Sequence, residues 1–272
     1  MRTITEAEFI KIRDYVKSNF GTYLSDEKKT LVQSRLRSTM DELGFETFSD
    51  YFSYLQKDKT GEALTRFINK ITTNHTFFMR EFEHFDYFRE VVLPYIEEKY
   101  STKQDLSMWS AACSSGEEAV TMQIIAQEYF KGKGGVWDTQ MLATDISAQV
   151  LDKAVAARYP IDSLRAMPKH WQLEHFKKVD SAVSQVADHI RRNILYRKFN
   201  LMENFNFKRR FQVIFCRNVM IYFDGQTRDA LVKKFFEVTE PGGYLFIGLS
   251  ESITGSGTSY EYVKPAIYRK PK

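Results

Sequence analysis

Only two cysteines occur in the 272 residues, Cys113 and Cys216. Both sit at the ends of apolar, strand-like segments, which predicts reduced, buried thiols rather than a disulfide framework. Neither has zinc-ligand spacing, and two are too few for a cysteine-only site, so no metal is expected. No apolar run reaches the ~18 residues of a membrane span. The opening Met1-Arg2-Thr3-Ile4-Thr5-Glu6 lacks the apolar core of a secretory signal. A cytoplasmic protein without membrane insertion is the expectation. Two further absences narrow the ligand. Without G-x-G-x-x-G a nicotinamide dinucleotide is disfavoured, and without G-x-x-x-x-G-K-[ST] a nucleoside triphosphatase is disfavoured. Internal repeats and low-complexity tracts are missing too.

What is present is ordinary globular composition, 43% apolar and 27% charged, enough for a sizeable core in one or two domains. The net charge of +4 is unevenly spread: residues 1–70 hold 12 Lys/Arg against 11 Asp/Glu, but residues 158–210 hold 12 against 5. That excess, with Arg191-Arg192, Arg197-Lys198 and Lys208-Arg209-Arg210, suits an acidic partner, although a solvated face is the plainer reading.

The first seventy residues read as four short helices. Phe9, Ile12, Val16 and Phe20 recur at helical spacing before Gly21. Ser25 or Asp26 is the expected N-cap of a second helix, with Leu31, Leu36, Met40 and Leu43 on one face. Phe48, Tyr51, Phe52 and Leu55 form a third stripe, and Leu64, Phe67, Ile68 and Ile71 a fourth. Residues 1–71 are therefore expected to form a small helical domain. Residues 72–100 are expected to be a linker with a leading helix from about 83 to 100. Its aromatic residues, which a flexible linker does not need, predict that it is docked. From about Leu106 strands and helices alternate, the pattern of a parallel α/β sheet. The rhythm breaks between Arg158 and Asn200, where a small insertion with short strands is expected.

The run Ser110-Ala111-Ala112-Cys113-Ser114-Ser115-Gly116-Glu117-Glu118 joins an apolar strand to a helix. Small residues there let a ligand approach the backbone and the helix N-terminus. Two carboxylates in the first helical turn argue against a phosphate and for a cationic, hydroxyl-bearing ligand. S-adenosylmethionine, with a sulfonium, an ammonium and a ribose diol, has that character. The bland alternative is a strand–helix turn whose carboxylates merely suit the helix dipole. Asp145, at the end of the next strand, is placed to bind ribose hydroxyls or to cap a helix. Arg217-Asn218 marks a third polar strand end, where open α/β sheets bind ligands.

Several separate motifs then stand in order: Thr72-Thr73-Asn74-His75-Thr76-Phe77-Phe78-Met79-Arg80-Glu81, Trp109 to Glu118, Ala143-Thr144-Asp145-Ile146, Phe215 to Phe223, and Gly243 to Ser252. Together they resemble the chemotaxis receptor methyltransferase (CheR) family, S-adenosylmethionine-dependent protein-glutamate O-methyltransferases, over nearly the whole chain. The resemblance implies an α/β fold: a Rossmann-like class I methyltransferase domain over 101–272 with a small inserted β-subdomain at about 158–200. A small all-helical N-terminal domain precedes it. It implies that Asn74, Thr76 and Arg80 close over the cofactor. Glu117 would contact its methionine part, Asp145 its ribose, and Asn200, Leu201, Arg217 and Asn218 the adenosine and sulfur. Arg80 would hold the substrate carboxylate, and Tyr222 would lie near the methyl group. S-adenosylhomocysteine would be the product. The implied partners are cytoplasmic receptor helices, with the protein a monomer. Ala119-Val120 depart from the Pro and Tyr usual in the family.

Two other readings compete. A nucleic-acid methyltransferase commonly carries prolines after an acidic or Asn residue, or a Pro-Cys nucleophile; here Arg217-Asn218-Val219 and both cysteines lack them, so no nucleic acid is expected. A module that only senses the cofactor would not need the full set of site residues.

Overall fold

The computed structural model describes residues 3–71 and 74–272, so Thr72 and Thr73 of the first motif lie outside the described residues. The chain forms two compact units, Met1–Asn74 with Tyr222–Thr227, and His75–Ile221 with Arg228–Lys272. The boundaries therefore differ from those expected. Most of the segment read as a linker belongs to the larger unit, and a short piece near Tyr222 belongs to the helical one. That piece is held by its backbone: the Tyr23 N–H donates to the Tyr222 carbonyl at 2.7 Å, and Lys17 pairs with Asp224 at 2.7 Å.

In the helical unit, α1 (Glu6–Phe20), α2 (Lys29–Leu43), α3 (Phe48–Lys57) and α4 (Glu62–Ile71) are the four expected helices. Thr5 and Glu8 close a capping box at the start of α1, and Gly21 ends it in the left-handed conformation. In α2 the buried stripe is Val32, Leu36 and Met40 with Thr39, while Leu31 and Leu43 are exposed. A 3-10 turn, Asp26–Lys28, precedes α2 and rotates its start. Ser25 makes no side-chain cap bond there.

The larger unit begins with α5 (Phe82–Tyr87), a π-helical turn (Phe88–Val92) and α6 (Leu93–Lys99). Then follow β1 (Met108–Ala111), α7 (Glu117–Phe130), β2 (Met141–Asp145) and α8 (Ala148–Ala156). The insertion comprises β3 (Arg158–Pro160), α9 (Lys169–His175), β4 (Phe176–Lys178) and β5 (Val183–Val186), an antiparallel sheet ordered β3-β5-β4. After α10 (Asp188–Arg191) come β6 (Ile194–Lys198), β7 (Phe211–Cys216), α11 (Gly225–Val238), β8 (Thr239–Ile247), β9 (Glu261–Lys264) and β10 (Ile267–Arg269).

The main sheet is ordered β6-β2-β1-β7-β8-β10-β9, parallel except where β10 runs against β8 and β9. The extra sheet therefore ends at Val186, short of the expected Asn200, because β6 pairs in parallel with β2 along Ile194–Lys198. Residues 240–243 form a bulge inside β8. Phe211 faces Thr239, but Val213 already faces Tyr244. Gly242, at φ 78°, supplies the backbone freedom this needs. Central strands β1 and β7 are wholly buried, and their core is aromatic. Trp109 is ringed by Phe199, Phe205, Phe207, Phe211 and Phe235 at centroid distances of 4.9–6.0 Å. Its indole N–H is satisfied by Thr144 Oγ1 at 3.0 Å.

Candidate active site

The strand order reverses between β1 and β7, the position where open α/β sheets bind ligands beyond their carboxyl ends. The 112–116 turn leaves β1 here. Ala112 (φ 68°), Ser114 (φ 50°) and Gly116 (φ 96°) all adopt left-handed backbone. A Cβ on Gly116 would meet the Tyr196 hydroxyl at 2.9 Å and the Tyr159 hydroxyl at 3.0 Å, so conformation and space both require glycine.

Three carboxylates converge on this turn. Asp145 is buried at the end of β2 and accepts from the Ser114 N–H and the Ser147 N–H, each at 2.9 Å. Ser147, not Asp145, caps α8, through the Val150 N–H at 3.3 Å. Asp145 thus clamps the turn to β2. Glu117 is 9% exposed and accepts from Ser115 Oγ at 2.8 Å. Glu118 accepts from Ser110 Oγ at 2.7 Å and from Arg217 Nη1 at 3.1 Å. Burial pushes all three carboxyls above their usual range, against opposing hydrogen bonds. Only Glu118 has an ion-pair partner among them. The site therefore gains from an added cation.

Arg217 follows β7, with a side chain only 2% exposed. It pairs with Glu118, pairs with Glu81 at 3.0 Å and donates to the Arg80 carbonyl. Its guanidinium also lies over the Phe85 ring at 5.3 Å. Asn218, at φ 59°, donates from Nδ2 to Glu81 at 3.0 Å and from its backbone to Glu251 at 3.1 Å. Both predicted residues are thus engaged by protein carboxylates.

The segment carrying Thr76 and Arg80 is docked, as its aromatic content predicted. Phe78 is fully buried against Tyr159 and Phe176, with centroids at 4.9 and 5.8 Å. Arg80 donates from Nη1 to the His75 carbonyl at 2.9 Å and lies over the Phe77 ring at 5.9 Å. Thr76 is half-buried. The Asn200-Leu201 loop joins the site through its neighbour: the Phe199 N–H donates to the Asp145 carbonyl at 3.0 Å. Lys234 holds the same loop by the Met202 and Glu203 carbonyls at 2.8 and 2.9 Å. Asn74 and Tyr222 fall in the helical unit. There the Lys28 ammonium stands 5.8 Å from the Tyr222 ring centre.

Residues 74–268 match the SAM-binding domain of the CheR methyltransferases, and residues 7–72 match that family's all-alpha domain. The chain belongs to the CheR methyltransferase family. It is 40% identical to a chemotaxis protein methyltransferase of Borreliella burgdorferi over 270 residues, 98% of this chain and 95% of that one. A probable chemotaxis protein methyltransferase of Rhizobium etli is 32% identical over 267 residues, covering 94% and 99%. Chemotaxis protein methyltransferase 2 of Vibrio cholerae is 31% identical over 273 residues, covering 98% and 94%. The chain is therefore an S-adenosylmethionine-dependent methyltransferase, with a Rossmann-like domain behind an all-helical one.

The residues present fit that cofactor. Glu117 is a buried carboxylate with no ion-pair partner among the described residues, and the buried Tyr196 hydroxyl beside Gly116 has no hydrogen-bond partner among them. Two residues that the sequence reading left without a role prove central. Glu81 grips Arg217 and Asn218. Glu251 accepts from the Gly248, Asn218 and Ile221 N–H groups at 2.6–3.1 Å. Their only sequence signal is a carboxylate inside a motif that already contained an assigned residue. Among the described residues no helix is long and apolar enough to cross a membrane.

Proposed function

We propose that the chain esterifies glutamate side chains on the cytoplasmic helices of chemotaxis receptors, acting as a monomer. The observation that carries this reading is the turn after β1, where the buried Glu117 carboxylate has no ion-pair partner among the described residues, in a chain of this family. S-adenosylmethionine supplies an electrophilic methyl on a sulfonium. Glu117 faces the cationic methionine part, Asp145 takes the ribose, and Asn200, Leu201, Arg217 and Asn218 frame the adenosine and sulfur. Thr76 completes the cover.

A surface glutamate, with a pKa near ~4.3, is already ionised at neutral pH, so no general base is needed. What the chain must do is align the carboxylate oxygen and strip its water. Arg80 has no carboxylate partner among the described residues, which leaves its guanidinium for the substrate carboxylate. Arg80→Ala is expected to lower turnover by about 100-fold while changing cofactor affinity much less. Wild-type turnover in that variant would remove Arg80 from the reaction.

The reaction class is tested with methyl-labelled S-adenosylmethionine and receptor-bearing membranes, followed by base treatment and counting of volatile methanol. Base-labile label on the receptor is the expected result. Base-stable label would indicate N- or S-methylation and overturn the glutamate assignment.

A further inference from the structure

We propose that Glu81 is a positioning residue for methyl transfer: its carboxylate locks the segment that carries Arg80 onto the carboxyl ends of β7 and β8. The proposal rests on the reaction assigned above and adds a residue to it.

Glu81 is largely buried and is held from three directions. Its Oε2 accepts from Arg217 Nη2 at 3.0 Å and from the Leu249 N–H at 3.3 Å, and its Oε1 accepts from Asn218 Nδ2 at 3.0 Å. The ring of His84 closes the remaining side, with Nδ1 at 3.5 Å. The same Arg217 nitrogen also donates to the Arg80 carbonyl. One guanidinium therefore grips both the backbone of Arg80 and the side chain of the next residue. Its other nitrogen is anchored to Glu118, and Glu118 in turn to Ser110 of β1. A continuous polar chain thus runs from β1 through α7 and β7 to residue 81.

The backbone needs such an anchor. Met79 and Glu81, on either side of Arg80, both have left-handed φ values, 61° and 55°. Non-glycine residues stay there only when their surroundings over-determine them. Among the described residues the Arg80 side chain meets only local groups, the His75 carbonyl and the Phe77 ring, so it supplies little restraint of its own. Its direction is therefore set by the inverted backbone, and the inverted backbone by Glu81. The charge matters as well as the shape. Without it Arg217 keeps a single carboxylate partner, and the bonds from Asn218 Nδ2 and the Leu249 N–H lose their charge assistance.

The test is Glu81→Gln, which keeps the size and removes the charge. Three quantities are measured: S-adenosylhomocysteine affinity by calorimetry, turnover on receptor membranes, and hydrogen exchange over residues 75–82. Turnover is expected to fall about 100-fold, with affinity changed less than about threefold. Exchange in 75–82 should quicken about tenfold while that of β1 and β7 stays unchanged. In an Arg80→Ala background the same change should cost nothing further, because Glu81 acts through Arg80. Glu81→Asp, which keeps the charge, should recover part of the turnover. It carries the same readouts if Glu81→Gln fails to fold. Turnover within about threefold of wild type, or losses that multiply in the double variant, would overturn the proposal. If the wild-type protein forms no base-labile ester, the reaction assigned above fails by itself. The exchange measurement still decides whether Glu81 holds the segment, and unchanged exchange sinks it.

Discussion

Charged residues are handled in opposite ways in the two units. In the helical unit they cap and decorate. Glu8 closes its capping box and also accepts from Ser49, all at the surface. In the larger unit Glu81, Arg217, Glu118, Asp145 and Glu251 lie largely buried and gather at the carboxyl ends of parallel strands. Exposed pairs are worth little because water competes for them, whereas a buried charge that loses its partner is costly. Where a chain tolerates that risk, it has packed charges to orient a ligand rather than to gain stability. The free energy of the site is accordingly concentrated in few residues.

The sharpest way to break this contrast is Arg217→Met. It strands two buried carboxylates, and a loss of about 3–5 kcal/mol is expected in urea unfolding, together with loss of cofactor binding. A loss under about 1 kcal/mol would mean that the network is as solvated as the surface pairs.

Acid comes next. Burial first, and then the Arg217 charge, hold the His84 pKa at about 4, below its usual 6.5. The ring is buried neutral, so the unfolded chain takes up the proton first as pH falls. The stability this contributes is complete above pH ~6.5 and is lost between about 6.5 and about 4, by up to about 3 kcal/mol. Urea midpoints at pH 7 and 4.5, compared with those of His84→Leu, measure it. The variant should show the shallower decline, and equal slopes would remove His84 as the cause.

Gly116→Ala should cost about 2 kcal/mol, from a left-handed φ and a Cβ pressed on two tyrosine hydroxyls. Cofactor affinity, read by calorimetry, should fall with it. Unchanged stability and affinity would show that the turn can relax.

The smallest effect belongs to the helical unit. Glu8→Ala removes half of a capping box and should cost about 1 kcal/mol in thermal unfolding, leaving cofactor affinity untouched. An effect as large as that of Arg217→Met would erase the difference between the two units.

Much of this was legible in the chain. Four apolar stripes announced four helices, and alternating strand and helix patterns announced the parallel sheet. The small-residue run with its carboxylates announced the strand-to-helix turn that leaves β1. Boundaries were harder to read. In α2, Leu31 and Val32 are adjacent apolar residues, and tertiary packing, not the local pattern, buries Val32 and exposes Leu31. The span near Asn200 gave its last strand to the main sheet because pairing partners more than forty residues apart leave no local trace.

Among the proposed site residues, Glu117 and Asp145 stand out in the sequence because each sits at a strand end or helix start with few alternatives for its residue type. Local sequence determined those elements, their apolar faces and the chemistry of the turn, since propensity and periodicity act over a few residues. Only the tertiary structure decided that Glu118 and Glu81 share one arginine, that Ser147 rather than Asp145 caps α8, and that Glu251 collects three N–H groups. Those choices depend on which strand ends lie side by side, and the sheet settles that by burying β1 and β7 together at its centre.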